Sequence, residues 1–216
     1  GNTNTAAATQ FAFTHDATVP TASAVTIAVS GTGNANHGDV VTLTIDPSEA
    51  IAAPTCTWTD GSGAMADTSV TYATVEGTDH HTAAVTVDDA DQDGTVGFSC
   101  TFSDLAGNAV ASAVTSLTSG SAITIDNTHP TISSVSAAWG SHLNAAEDNA
   151  DKTITVQTSG AEDGQTVTTT INGVSDTCSV SSNTCDVTYA ASDMANLVSG
   201  TSYTIAVDVS DAAGNA

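Results

Sequence analysis

Short runs in which apolar and polar residues alternate recur along the whole chain. Val96, Phe98, Cys100 and Phe102 are one example, and a period of two places their side chains on one face of a strand. The runs are rich in Thr and Val, whose β-branched side chains favour strands. Such runs predict strands near 24–30, 39–46, 55–59, 69–75, 82–88, 95–103, 111–126, 132–138, 152–158, 165–172, 176–181, 184–190 and 202–210, with one helical turn near 192–198.

Two phrases of the sequence occur twice. Residues 103–109 (SDLAGNA) return as residues 210–216 (SDAAGNA), 107 positions later. Residues 15–21 (HDATVPT) resemble residues 125–131 (IDNTHPT), 110 positions later. A period of about 110 residues is the size of one β-sandwich. The sequence therefore predicts an all-β fold of two tandem sandwich domains, the first at 17–126 and the second at 127–216.

The two ends of the sequence do not coincide with the boundaries of the repeated domains. Residues 1–16 look like a last strand running into a linker, as residues 107–126 do, whereas the second domain stops just after its repeated turn. We therefore expect residues 1–16 to be a terminal strand that belongs to, or is donated to, the preceding unit. The second domain would then lack its own last strand and be completed by the strand of the next unit.

Two kinds of head-to-tail assembly would explain this displacement between the chain ends and the domain boundaries. One is a long tandem polypeptide of which this chain is a slice. The other is a polymer of separate subunits, in which the first strand of each copy completes the second domain of its neighbour by β-strand addition. A third possibility is a chain whose ends fall at arbitrary positions. The expected partners in the first two cases are copies of the same unit arranged in a line.

The charge balance narrows the classes of partner. The chain has 24 Asp and Glu against a single basic residue, Lys152, and a net charge of −23. This composition argues against nucleic acid, because phosphate contacts need Lys and Arg, and against an anionic membrane surface. No stretch is long and apolar enough for a transmembrane helix, so membrane insertion is not expected. The carboxylates indicate a protein of salty water, a protein that binds cations, or both.

The second domain resembles a known family of repeats. It opens on Asp-Asn-Thr-His-Pro-Thr (126–131), continues through Leu-Asn-Ala-Ala-Glu (143–147) and Asp-Gly-Gln-Thr-Val (163–167), and closes on Ser-Asp-Ala-Ala-Gly-Asn (210–215). These phrases are similar to the tandem bacterial immunoglobulin-like (Big/Bap-type) repeats of large surface adhesins and of biofilm or filament proteins. The resemblance implies seven-stranded immunoglobulin-like sandwiches, tandem stacking, secretion to the cell surface and, often, calcium between domains.

The four cysteines suggest disulfides and an oxidising compartment, since none forms a CxxC pair. Cys56 and Cys100 fall on strands expected to be neighbours in one sheet, and both should face inward. Cys178 and Cys185 would lie opposite each other on a hairpin with its turn at Ser181 and Ser182. We predict the pairs Cys56–Cys100 and Cys178–Cys185, with free buried thiols as the alternative.

Acidic loops supply candidate calcium ligands. In Asp88-Asp89-Ala90-Asp91-Gln92-Asp93-Gly94, carboxylates at alternate positions before a glycine match the way loops wrap this hard cation, although no EF-hand is present. Solvated turns are the alternative. Sandwich topology predicts one site at the domain junction and a second at the end that faces the preceding unit. The candidate ligands are Asp89, Asp91, Asp93, Asp126, Asn127 and Asp211 for the junction, and Asp16, Asp104, Glu147 and Asp148 for the contact between units.

The function expected from these features is mechanical. We predict a structural subunit or repeat of an extracellular filament or adhesin stalk, with strand completion and calcium-stiffened linkers. The alternative is a module that binds carbohydrate or a cell surface, which the 4% aromatic content does not favour. No arrangement of Ser, His, Asp or Cys in the sequence matches a catalytic motif, so we do not expect an enzyme.

Overall fold

The computed structural model of the chain describes residues 11–216. Among these residues the first domain contains eight strands, and several of the longer ones alternate more buried and more exposed positions as the sequence predicts. On the second strand, for example, Val41, Leu43 and Ile45 are fully buried, and the residues between them are partly exposed. The strands are β1 (Ala22–Val29), β2 (Val40–Pro47), β3 (Thr55–Thr59), β4 (Thr71–Thr74), β5 (His81–Thr86), β6 (Gly94–Thr95), β7 (Gly97–Thr101) and β8 (Thr124–Ile125).

These strands form the two layers of an immunoglobulin-like sandwich. One antiparallel sheet has the order β1-β2-β5-β4, and the other pairs β3 with β7. This is the A-B-E-D and C-F arrangement of that fold. The inward side chains of both sheets, including Leu43, Val85, Trp58 and Cys100, bury one another in a single hydrophobic core. A short pairing of β6 with β8 closes the end of the domain next to the linker.

The last segment of the first domain was predicted as one strand over 111–126, but only Thr124–Ile125 is a regular strand. The segment instead bonds to both sheets in turn. Val114 exchanges two backbone hydrogen bonds with Cys100 on β7, and Thr118 then donates its backbone N–H to Val25 on β1. A chain that changes partner within so short a stretch cannot keep one ladder, so it covers the edge of the core without forming a continuous strand.

The second domain repeats the plan with fewer strands. Among the described residues these are β9 (Thr131–Ala137), β10 (Lys152–Ser159), β11 (Thr166–Ile171), β12 (Val174–Ser179), β13 (Thr184–Tyr189) and β14 (Ala206–Val209), with one short helix, α1 (Ala191–Met194). The sheets have the orders β13-β10-β9 and β12-β11-β14. A separate core lies between them, built around residues such as Ile154, Val167 and Tyr189. No helix in residues 11–216 has the length and hydropathy needed to cross a membrane.

Two disulfides join the predicted pairs of cysteines. Cys56 and Cys100 are direct partners across β3 and β7. Cys178 and Cys185 lie on β12 and β13, which belong to different sheets, so this disulfide links the two layers of the second domain. The expected hairpin pairing is limited to Ser181 and Thr184, which exchange two backbone hydrogen bonds, because the chain changes sheets at the turn. The turn is centred on Ser182 and Asn183, both with positive φ, one residue later than predicted.

Candidate functional site

The turn that carries the repeated phrase has the same hydrogen bonds in both domains. In the first, Asp104 accepts from the backbone N–H of Asn108 at 2.7 Å and from its side-chain amide at 2.7 Å. In the second, Asp211 accepts the corresponding bonds from Asn215, both at 2.9 Å. Both aspartates are buried. The amide of Asn108 lowers the pKa of Asp104, so this carboxylate stays ionised and holds the turn closed.

Each turn also holds the linker that enters its domain. Asn215 donates its side-chain amide to the backbone carbonyl of Asp126 at 2.8 Å, and Asn108 donates in the same way to Asp16 at 3.3 Å. His129 Nδ1 lies 2.9 Å from the carbonyl oxygen of Ala216. The two entry ends are therefore built alike, and residues 16 and 126 occupy equivalent positions.

At the junction between the domains, the entry end of the second domain meets the loop between β1 and β2. A Cβ on Gly33 would lie 3.4 Å from the carbonyl oxygen of Ala212, which is van der Waals contact. A Cβ on Gly214 would lie 3.3 Å from the side chain of Asn36. Small residues on both sides thus allow the close approach of the two domains.

The acidic loop before β6 is tied to the linker. Asp93 accepts from the backbone N–H of Asn127 at 2.7 Å and from the hydroxyl of Thr128. The side-chain amide of Asn127 donates to the carbonyls of Asp88 and Asp91, at 2.9 and 3.0 Å. Asn127 Oδ1 is buried and has no hydrogen-bond partner among the described residues. The loop and the linker therefore form one bonded unit at the domain junction.

The other two aspartates of this loop have different surroundings. Asp91 is 2% exposed, and its carboxylate accepts from the backbone N–H groups of Ala66 and Asp88. Asp91 thus closes its own loop. Asp89 is exposed, and its carboxylate lies 3.2 Å from His37 Nδ1. As calcium ligands, both stay predictions.

At the junction, Asp126 lies within electrostatic reach of two other carboxylates, those of Asp93 and Asp211. Burial raises the pKa of Asp126, and the negative charges of Asp211 and Asp93 raise it further. The predicted ligands Asp93, Asp126 and Asp211 therefore interact electrostatically across the contact between the domains. A cation bound among them would relieve this repulsion.

A tighter acidic cluster lies at the entry end of the first domain. Carboxylate oxygens of Asp16, Glu49 and Asp104 lie within 4.8 Å of one another. Glu49 Oε1 is buried without a hydrogen-bond partner in the described residues. Burial and the charges of Asp16 and Asp104 raise the pKa of Glu49. The repeated phrases of the sequence indicate the two aspartates but not Glu49. A signal for it exists in the second domain, where Glu162 follows the equivalent strand and accepts the backbone N–H of Ala212 in the Asp211 turn at 2.9 Å.

The remaining predicted ligands lie elsewhere. Glu147 and Asp148 are in the loop between β9 and β10, where Glu147 accepts from the backbone and side chain of Asn144, at 3.0 and 2.6 Å. By the antiparallel order of the strands, this loop is at the end of the second domain away from Asp211. Within one chain they are therefore not brought to Asp16 and Asp104. Only contact between two units would do so.

Asp60 stabilises a turn beside the acidic loop. Hydrogen bonds from the backbone N–H groups of Gln92, Ser62 and Gly63 lower the pKa of Asp60 from 3.8 to about 2. Because the folded-state pKa is depressed, the stabilisation is complete above the ordinary pKa of 3.8 and is lost as the pH falls towards about 2.

We expect Asp60→Asn to lower the free energy of unfolding of the first domain by about 1 kcal/mol at pH 7, and the difference from the parent to shrink as the pH falls through about 2. Urea unfolding at several pH values measures this. Asp79→Asn, at an exposed aspartate, is the matched control. An effect of Asp60→Asn that persists unchanged at pH 2 would contradict the role of the ionised carboxylate.

Within residues 11–216 no strand pairs with the outer edge of β14, whereas the equivalent edge in the first domain is covered. Superposing the two repeated phrases, with Asp104 on Asp211, aligns Val96 with Tyr203 and Cys100 with Val207. Val96 and Cys100 are buried, at 5% and 0% exposure, under residues 110–123. Tyr203 and Val207 face the second core but remain partly exposed.

The neighbouring sheet shows the same contrast. Val25 on β1 and Val135 on β9 are equivalent positions when Pro20 is aligned with Pro130. Val25 is 1% exposed because Thr118 bonds to its backbone from the last segment, whereas Val135 is 39% exposed. Thus, as far as residues 11–216 show, the second domain presents an open apolar strip along β9 and β14.

The segment before the first domain carries two apolar side chains that pack on neither core of the described residues. Phe11 and Phe13 are 89% and 79% exposed, and their ring centroids are 6.5 Å apart. Residues 11–16 form no strand in the structure. The remainder of the predicted terminal strand, residues 1–10, lies outside the described residues.

The strand order and the two layered cores define a pair of immunoglobulin-like β-sandwich domains. No protein-family model and no curated protein matches the chain. Among solved structures, the chain is similar to a chimeric titin Z1Z2 functionalized with a KLER exogenous peptide from decorin, at 14% identity, a TM-score of 0.31 and 92% coverage of each chain. It is also similar to the D00-D0 domain of intimin, at 10% identity, a TM-score of 0.32 and coverage of 76% of this chain and 84% of that one. The fold class therefore rests on the strand topology described above.

Proposed function

We propose that the chain is a structural unit of an extracellular filament or adhesin stalk, in which units join head to tail. The observation that carries this proposal is the open strip along β9 and β14, set beside the same strip in the first domain, which is covered. Uncovered sheet edges with apolar neighbours favour association with another strand. The segment that holds Phe11 and Phe13 supplies apolar side chains of the kind that such a strip would bury.

Joining by strand completion would make each unit a receiver at one end and a donor at the other. The receiver end is the β14 edge of the second domain. The donor end is the segment before Asp16. Because the two ends differ, the contact is heterologous, and such contacts propagate into lines or rings. The high negative charge, −23 for one unit, favours the extended form, in which like charges lie farthest apart.

Calcium is the cofactor that this proposal includes. Asp16, Glu49 and Asp104 would hold one ion at the entry end of the first domain, and Asp93, Asp126 and Asp211 another at the domain junction. Oε1 of Glu49 is buried without a hydrogen-bond partner among the described residues, which is consistent with an oxygen that would coordinate a hard cation. Bound there, calcium would neutralise carboxylates and restrain the segment that enters each domain. The secreted location in the proposal agrees with the two disulfides, which persist in oxidising compartments.

The proposal predicts that assembly depends on the apolar donor segment. We expect the intact chain to form particles of many copies, and the double variant Phe11→Ser with Phe13→Ser to remain monomeric, because two rings no longer gain burial. Light scattering after size-exclusion chromatography, with negative-stain electron microscopy, measures this. Val40→Ser, at an exposed apolar position of the first domain, is the control and should assemble normally. A monomeric intact chain at high protein concentration would reject the proposal.

The mass of native material after boiling in detergent and reductant separates the two forms of the proposal. A band near 21.3 kDa indicates separate subunits joined by donated strands. A single much larger species indicates one tandem polypeptide, in which the following unit supplies the same strand along the same chain.

A further inference from the structure

In the first domain, the pairing of the last segment with β6 shows the register that a contact between units could adopt. Its last segment returns along the strand before the repeated turn: β8 pairs with β6 in antiparallel register, with Gly94 opposite Ile125 and Thr95 opposite Thr124. The next residue continues this pairing, since Val96 donates its backbone N–H to the carbonyl of Ile123 at 2.9 Å. The ladder thus places Val96 opposite Ile123.

Two pairs of equivalent positions relate this register to the open edge of the second domain. The first is the Asp-Asn turn: because Asp104 aligns with Asp211, Val96 aligns with Tyr203. The second is the entry linker: because Asp126 aligns with Asp16, Ile123 aligns with Phe13. These equivalences are structural as well as sequential, since each linker carbonyl accepts the side-chain amide of the asparagine in its own turn.

We propose that Phe13 of one unit pairs with Tyr203 of the preceding unit, in the antiparallel register that Ile123 and Val96 adopt inside the first domain. This inference rests on the proposed function, and it specifies which residues of the donor meet which residues of the receiver. Thr14 then lies opposite Ser202, and Phe11 follows on the same face as Phe13, towards Ile205. The backbone N–H of Tyr203 donates to the carbonyl of Phe13.

The receiving residues lie outside any strand and are exposed or partly exposed, as this pairing needs. Residues 201–205 belong to no strand, whereas their counterparts at the start of β6 are paired. The ring of Tyr203 is already fixed, since its hydroxyl accepts the backbone N–H of Val198 at 2.8 Å. Tyr203 and Ile205 pack on the second core yet remain partly exposed, so a donor side chain would bury them further.

The chemistry of the donor also agrees with the register. Phe13 replaces Ile123, which packs partly buried on the first core, so an apolar residue meets the core in both cases. Thr14 replaces Thr124, which is exposed in the first domain. A shift of one residue would turn Thr14 towards the core and both phenylalanines to solvent, because side chains alternate along a strand.

Cysteine pairs test the register without touching either aromatic residue. We expect Thr14→Cys combined with Ser202→Cys to give covalent multimers after mild oxidation, visible on a non-reducing denaturing gel and lost on reduction. Both positions are exposed and polar. A link between two copies gives a multimer, whereas a link within one chain would leave the mass at that of a monomer. The matched control is Thr14→Cys with Thr204→Cys. Thr204 is also exposed but lies two residues along the strand from the proposed partner, so this pair should form several-fold fewer links. Each single variant controls for exchange with the native disulfides.

Light scattering of the same samples before oxidation distinguishes failure of the proposed register from failure of head-to-tail assembly. Assembled variants in which Thr14→Cys links to Thr204→Cys in preference to Ser202→Cys would overturn the register and leave strand completion in place. Assembled variants that form no links would overturn the register in the same way. If the intact chain itself stays monomeric, the proposed function fails and the register fails with it.

Discussion

Loss of the Cys56–Cys100 disulfide is expected to lower the free energy of unfolding of the first domain by about 4 kcal/mol. The two cysteines are 44 residues apart, and closing a loop of that length removes this much conformational freedom from the unfolded chain in the loop-entropy model. A small domain has roughly 5 to 15 kcal/mol of stability in total. The double variant Cys56→Ala with Cys100→Ala should therefore be only marginally folded in the first domain.

The second disulfide provides the matched comparison. Cys178 and Cys185 are 7 residues apart, and the same model gives about 2.5 kcal/mol for the loop they close. Urea unfolding followed by circular dichroism should show the larger shift for the first pair and the smaller for Cys178→Ala with Cys185→Ala. Each shift should appear in the transition of its own domain. Equal shifts, or a larger one for the short loop, would show that native packing, rather than loop entropy, dominates.

Much of the fold could be predicted from local pattern. Alternation on β2 and β7 indicated the buried faces of residues such as Leu43 and Cys100, because the side-chain period of a strand is a local property. The repeated Asp-Asn phrase indicated two domains, and the structure forms the same turn at Asp104 and Asp211. All of these features depend on neighbours within a few residues, which the sequence displays directly.

Features that depend on a change of sheet were harder to predict. The pairing of Cys178 with Cys185 agrees with the prediction, but the reason differs, since the chain crosses between layers at Asn183 where a hairpin was expected. The last segment of the first domain likewise leaves β7 for β1 between Val114 and Thr118. Alternation marks a residue as inward or outward and does not identify the strand that it will bond.

The acidic cluster at the entry end could be predicted only in part, for a different reason. Asp16 and Asp104 were chosen because they sit in repeated phrases. Glu49 lies in the loop after β2 and carries no motif, and it reaches the others only through the folding of three separate segments. The buried Oε1 and the raised pKa of Glu49 are properties of that assembled site. Long-range electrostatics of this kind has no signature in a single stretch of sequence.

Calcium is expected to raise the thermal stability of the first domain, and Glu49→Gln is expected to remove most of that increase. Sites in extracellular modules have dissociation constants of about 10⁻⁴ to 10⁻³ M, and an ion at roughly 100 times its dissociation constant adds about 2.7 kcal/mol. Differential scanning calorimetry in about 10 to 100 mM CaCl₂, which is roughly 100 times those dissociation constants, and in excess chelator measures the difference. Glu76→Gln, at an exposed glutamate away from the cluster, should respond like the parent.

The calcium-free protein supplies an independent check with the opposite sign. The pKa of Glu49 is raised above its usual 4.5 by burial and by Asp16 and Asp104. A carboxyl group with a raised folded-state pKa favours folding as the pH falls through that range, because the folded state binds the proton more tightly. In chelator, Glu49→Gln should therefore be at least as stable as the parent at pH 7, while in calcium it should be less stable. If the variant and the parent shift equally on addition of calcium, the ion does not bind at Glu49.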